Sequence, residues 1–152
     1  MRLRQAIAVL ALVGFFVALY LSLHALGIGG PLKCGTGGCD TVQSSRWAVF
    51  LGLPVAFYGV IGYALIFIVA LVAVRPVAVE RRVWSVVLLA LATIGVLFTA
   101  YLTYIELFVI HAICRWCVGS AVIISLIWIV AFRSLGTRTD RAASPPPRDL
   151  PA

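Results

Sequence analysis

Residues 112–132 read AICRWCVGSAVIISLIWIVAF. Arg115 is the only charge in this run. As a helix the run matches the roughly 20 residues needed to cross the hydrocarbon core of a bilayer. It is too long for a core strand and shows no period-two alternation. It reaches spanning length only if both cysteines belong to it, because 118–132 alone is short. Cys114 and Cys117 are therefore expected in the first turns of a membrane helix, just inside the boundary. At positions i and i+3 they share a face.

Three more runs of the same kind precede it, at 6–26, 53–74 and 83–105. Across the 152 residues, 63% are apolar and 11% charged, with a mean hydropathy of +1.12. A soluble domain carries about a quarter charged residues. This chain has too little polar surface to cover a water-soluble globule, so the bilayer is its solvent. The first run follows Met1-Arg2-Leu3-Arg4, as a signal peptide would. Its apolar stretch is longer than a signal core, and no Ala-x-Ala site follows it.

The charges orient the spans. Arg2, Arg4, Arg75, Arg81, Arg82, Arg133, Arg138, Arg141 and Arg148 fall at the N-terminus, in the second loop and in the tail. Lys33, Arg46 and Arg115 fall in the first and third loops. Basic residues favour the cytoplasmic side, so both termini are expected there. The net charge of +7 thus serves topology. It forms no basic patch interleaved with aromatics, and nucleic acid is not an expected partner. The expected fold is an all-α integral membrane bundle of four transmembrane helices spanning 1–133. The remainder, 134–152, includes Ser144-Pro145-Pro146-Pro147 and reads as a disordered cytoplasmic tail.

With this topology the first and third loops share the extracytoplasmic side, where disulfides persist. All four cysteines lie there. Four cysteines allow three connectivities, and sequence does not choose among them. Their spacing groups them, however. Cys34 and Cys39 bracket Gly35, Gly37 and Gly38 in a loop flexible enough to meet a soluble partner and swing toward the membrane. Cys114 and Cys117 form a CxxC at a helix start, where the thiolate is favoured. Thiols at that depth are near lipid-soluble molecules such as quinones. Two pairs in an oxidising compartment point to thiol–disulfide exchange. A four-cysteine zinc site fits poorly with one pair on a helix, and no metal is expected.

Between the loop cysteines and the second span, Asp40-Thr41 offers a cap for a short interfacial helix through Val42, Val49 and Phe50. It carries Trp47, and Gly52-Leu53-Pro54 follows. Ser44 and Ser45 would face inward. His24 and Glu106 fall near the outer boundary and read as interface residues.

These residues resemble the vitamin K epoxide reductase family, in the form of a short bacterial homologue without a fused thioredoxin domain. The likeness rests on the loop cysteine pair after the first span, Ser44-Ser45-Arg46-Trp47 beyond it, Gly52, and the CxxC opening the last span. It implies a four-helix bundle around a quinone, ubiquinone or menaquinone, in the bacterial cytoplasmic (inner) membrane. It implies electron flow from a thioredoxin-like (DsbA-like) extracytoplasmic protein in trans. By resemblance Cys34 meets this partner, Cys39 attacks Cys114, and Cys117 contacts the quinone. Ser45, Leu102 and Ala121 are assigned to the quinone pocket, with Ala121 standing where some vertebrate members have a tyrosine. The DsbB type of membrane oxidase does similar chemistry but carries its CxxC in the first extracytoplasmic loop, the reverse of the order here. A non-enzymatic subunit of a membrane complex is the other alternative.

The topology has a direct check. A reporter active only outside the cytoplasm is expected to be silent when fused after Phe132 and active when fused after Gly38. An active C-terminal fusion would place the two cysteine pairs in different compartments.

Overall fold

The computed structural model describes residues 2–28, 38–75 and 82–143, with residues 137–143 described as backbone alone. Four long apolar helices form the body. Helix α1 spans Arg2–Ala25, and a short helix α2 spans Gly38–Gln43. Helices α3 (Val55–Val74), α4 (Arg82–Ile105) and α5 (Arg115–Ala143) follow. Helix α1 packs mainly against α3 and α5, and α5 also against α4; α3 and α4 meet less extensively.

Small residues set this packing. Ala11, Ala18, Ala70, Ala73, Ala92 and Ala131 are buried in the core with Ile7, Leu88 and Ile127. Lipid tails are as apolar as leucine, so membrane helices associate through close approach rather than by hiding apolar surface from water. Gly14 shows this most sharply: a Cβ there would lie 2.3 Å from Cε1 of the Tyr63 ring. The absence of a side chain lets Tyr63 cross from α3 toward α5, where its hydroxyl bonds the Ser120 carbonyl at 2.9 Å. The large apolar side chains point outward instead. Phe16, Ile61, Ile94, Leu97 and Phe132 are all exposed, as a lipid-facing surface requires.

The end of the bundle carrying Arg4 is closed by that residue, which is buried. It donates to the Ala73 carbonyl and, at 2.9 Å, to Ser85 Oγ. Ala73 lies in the last turn of α3, where carbonyls have no helical partner.

Three expectations are corrected. The interfacial helix is shorter than expected and begins earlier. Helix α2 ends at Gln43, and a 3₁₀ turn spans Arg46–Ala48. Val49 and Phe50 are not helical; they pair with Pro54 and Leu53 as a two-stranded hairpin of strands Val49–Phe50 and Leu53–Pro54. Leu51 and Gly52 turn the hairpin with φ of 49° and 83°. Two successive positive φ values suit a two-residue loop, and glycine supplies the second without strain. A β-branched and an aromatic residue beside such a turn favour strand over helix.

The fourth span also differs. Its helix begins at Arg115 rather than Ala112, because α4 runs on into a π-helical turn, Glu106–Ile110. That turn ends at His111, with φ 56°. At the other end the helix does not stop near Phe132. It continues to Ala143, so 134–143 are helical rather than disordered. Arg138, Arg141, Ala142 and Ala143 in this segment are strong helix formers. Residues 144–152, the rest of the expected tail, lie outside the described residues.

The Gly14–Tyr63 contact can be tested. Gly14→Ala is expected to cost about 1–3 kcal/mol through overpacking and to lower the thermal unfolding midpoint in detergent. Gly119→Ala, whose Cβ would meet nothing within 4 Å, is expected to be neutral or stabilising.

Candidate active site

Helix α2 brings Cys39 inward. Cys39 and Cys114 are both fully buried, at 0% exposure, in one cluster with Leu21 and Val42. The half-buried Tyr20 and Trp116 close this cluster, their rings 5.1 Å apart. The approach depends on Gly38. A Cβ there would lie 2.5 Å from the Ile113 carbonyl oxygen, so the start of α2 rests directly on the backbone that leads into the CxxC. His24, at the end of α1, lies 3.7 Å from Asp40 of α2 and helps to hold the short helix down. Cys39 is disulfide-bonded, whereas Cys114 and Cys117 carry free thiols. Cys34 lies outside the described residues.

Cys114 is not within the helix but at its cap. Its carbonyl accepts from the Val118 N–H at 3.0 Å. Its sulfur takes the Cys117 N–H at 3.4 Å, so the side chain satisfies one of the N–H groups left open at a helix start. The Cys117 thiol also hydrogen-bonds the Cys114 sulfur. That bond is the main cause holding the Cys114 thiol below its usual value, against burial and the nearby Glu106 charge, which push it up. Cys114 is therefore the sulfur favoured as thiolate.

The two sulfurs share the Cys39 cluster, Cys114 within it and Cys117 packed against it, but of the two Cys117 alone lines a cavity. Cys114 packs in the Cys39 cluster. Cys117 lines a cavity of about 390 Å³ bounded mainly by apolar side chains of α3, α4 and α5. This size falls in the range of small-molecule sites. Ser45 and Leu102 also line it, as does Tyr63, while Ala121 does not; Ser120 and Ile124 stand there in its place. The Ala121 carbonyl instead accepts from Ser125 within the helix, at 2.8 Å. Ser45 donates to the Val42 carbonyl at 2.7 Å, leaving its lone pairs toward other donors. Ser44 is exposed, its hydroxyl 3.4 Å from the Thr41 carbonyl, and does not face inward. Among the described residues, no group of three potential metal ligands comes together.

Glu106 is the residue the sequence reading misses. It is not an interface residue but buried, at 6% exposure. Its Oε2 accepts from the Cys114 N–H at 3.3 Å, its carboxylate is hydrogen-bonded with Cys117, and it lines the same cavity. The available signal was an acidic residue closing a long apolar run eight positions before Cys114. An ionisable group at membrane depth marks a functional site more often than an idle surface.

The Cys114 environment yields a pH prediction. A lowered value populates the thiolate at lower pH, so alkylation of Cys114 in the reduced protein should rise at a pH below the roughly 8.5 of an ordinary thiol. Cys117→Ala removes the hydrogen bond and should move that rise to higher pH. A titration of iodoacetamide labelling, read by mass spectrometry, checks both. An unchanged midpoint would show that the bond does not tune Cys114.

The profile of the vitamin K epoxide reductase family matches residues 5–132, which takes in all four helices, both cysteine pairs and the cavity. With a paired loop cysteine buried against a CxxC, and the CxxC facing an apolar cavity at the membrane boundary, the chain belongs to the vitamin K epoxide reductase family, membrane oxidoreductases whose thiol–disulfide chemistry is linked to quinone.

Proposed function

We propose that this protein reoxidises a thioredoxin-like extracytoplasmic partner and passes the electrons through its two cysteine pairs to a membrane quinone, so supporting disulfide formation in exported proteins. In this reading the partner's dithiol reduces the loop disulfide by attack on Cys34. Cys39, released as a thiolate, attacks Cys114, and Cys117 departs toward the cavity. The bacterial inner membrane is the proposed location, with both termini cytoplasmic and the cysteines on the outer face.

The observation that carries the reading is the division of the CxxC. Cys114 is packed with Cys39, and Cys117 lines the cavity. A relay needs this asymmetry: one sulfur for the donor pair, the other for the acceptor. The cavity suits a quinone ring, because its walls are mainly apolar and its lining includes Cys117 together with polar groups such as Ser45 and Glu106. Ubiquinone or menaquinone would supply the two-electron acceptor; Ser45 and Leu102 contribute to the wall beside it. Ser45 would have to turn its hydroxyl away from Val42 to donate to a carbonyl there. A purely structural membrane subunit would have no use for free thiols placed between a disulfide and a cavity.

The relay predicts a transient Cys39–Cys114 bond, since exchange proceeds by attack of a thiolate on one sulfur of the other pair. Removing Cys34 and Cys117 together leaves these two with no alternative partner and is expected to trap the bond, found as linked peptides after proteolysis. Their Cα atoms must come within about 7 Å. Free thiols at both positions under mild oxidation would mean that the relay runs otherwise. A bond that forms more readily between Cys34 and Cys114, in a variant lacking Cys39 and Cys117, would exchange the roles of the loop cysteines.

A further inference from the structure

We propose that Glu106 is a catalytic residue of this site, carrying the Cys117 proton into the cavity as the Cys114–Cys117 disulfide forms. The proposal rests on the quinone-linked relay just described and concerns how protons follow its electrons.

The proposal takes Glu106 as a carboxylate when the reduced pair reacts. The partners described at the Glu106 carboxyl are the Cys114 N–H and Cys117. An ionised carboxylate is an acceptor only, with room for both a backbone N–H and a thiol. A neutral acid would have to turn its own proton toward one of them. The thiol of Cys117 thus stands between two acceptors, the Cys114 sulfur and the Glu106 carboxylate. The Cys114 thiolate needs that hydrogen bond only while it is a thiolate. Once Cys114 bonds to Cys117, the proton must leave, and the carboxylate is the base already in contact with it. Glu106 also lines the cavity, so a proton received from one side has an exit on the other.

The balance closes. The reduced pair enters as a Cys114 thiolate and a Cys117 thiol. The S–S bond forms, two electrons leave the sulfurs for the quinone, and the Cys117 proton passes to the Glu106 carboxylate. Glu106 then gives that proton to an oxygen of the reduced acceptor and returns to the carboxylate. The second proton, shed earlier when Cys114 ionised, comes back from water at the outer face. The loop dithiol brings two hydrogens with its two electrons when it next reduces the pair, so nothing accumulates.

A buried glutamate could instead serve only to hold the Cys114 backbone. The amide of Gln accepts the same N–H but is not a base, which separates the two roles. In Glu106→Gln, quinone reduction by the purified full-length protein, with a reduced small dithiol as donor and a soluble short-chain ubiquinone as acceptor, is expected to fall about 100-fold or more, the usual size of an acid–base contribution. Glu106→Asp, which keeps the base on a shorter arm, should recover part of it. The second readout needs no quinone. Removing a negative charge beside two thiols should shift the alkylation titration of the Cys114–Cys117 pair to lower pH in Glu106→Gln, and Glu106→Asp should lie nearer the wild type.

Turnover of Glu106→Gln within twofold of the wild type overturns the proposal, whatever the titration shows. Lost turnover with an unmoved titration overturns it too, because the carboxylate then has no electrostatic contact with the reacting sulfurs. Should Glu106→Gln fail to fold, a Glu106→Asp variant that folds but shows neither partial turnover nor a near-native titration counts against it equally. A wild-type protein that oxidises dithiols without reducing quinone is a different result: it overturns the quinone-linked reading, and the relay with it.

Discussion

The break between α4 and α5 is the constraint from which the site follows. Four residues, 111–114, leave the helical path at the membrane boundary, where an unpaired N–H costs several kcal/mol if water is absent. One residue satisfies most of them. The Glu106 carbonyl accepts from His111 and from Ala112 at 3.2 Å, and its side chain accepts from Cys114 at 3.3 Å. The π-helical turn makes this possible. By widening the last turn of α4 it brings the Glu106 carbonyl within reach of residues five and six positions on. Such turns recur at functional sites because they redirect a helix without ending it. Here the redirected chain delivers Cys114 to the cap of α5, where its sulfur takes the Cys117 N–H.

From that cap the asymmetry of the CxxC is a matter of helix geometry. Cys114 precedes the first turn, and its side chain leans back toward the cluster with Cys39. Cys117 lies inside the turn and faces the space between the helices. That space exists because α1 holds α3 and α5 closely through small residues, while α3 and α4 are packed less tightly. Gly14 is needed for Tyr63 to reach Ser120, and Tyr63 in turn forms part of the cavity wall. Gly38 is needed for α2 to lie on the Ile113 backbone. In the sequence this glycine reads as a source of flexibility. In the fold its work is close approach, the opposite demand met by the same missing side chain.

Much of this was legible from residue order. The first three spans lie within a few residues of their helices, since a bilayer demands long apolar runs and tolerates few exceptions; the fourth helix runs on to Ala143, well past the expected end at Phe132. The CxxC and the second pair stood out for the same reason: cysteines, a serine and a tryptophan at fixed offsets survive reading without coordinates. The hairpin was hidden because Val49 and Phe50 are compatible with either structure, and the decision lies with the positive φ values at Leu51 and Gly52. The α5 cap was hidden because an apolar run does not mark where backbone bonding begins. Glu106 was visible but misplaced: a residue at the end of an apolar run lies in lipid, in water or inside the bundle according to a few degrees of helix rotation. The turn that buries it is set by the path of the chain beyond it.

Among the described residues, the two buried charges, Arg4 and Glu106, show how the bundle accommodates ionisable groups at membrane depth. A charge there is tolerated only when it meets polar partners, and helix ends provide them. Carbonyls are orphaned at a C-terminus and N–H groups at an N-terminus. Arg4 takes the first kind, at the end of α3, and Glu106 the second, at the start of α5. Each therefore carries the sign that the local helix dipole prefers. Exchanging the two would set each charge against the sign that its helix end prefers. Arg4 lies near the start of α1, and Glu106 lies at the opposite end of the bundle, beside Cys114. The two charges thus sit at opposite ends of the bundle, and the thiols lie at the end that carries the anion.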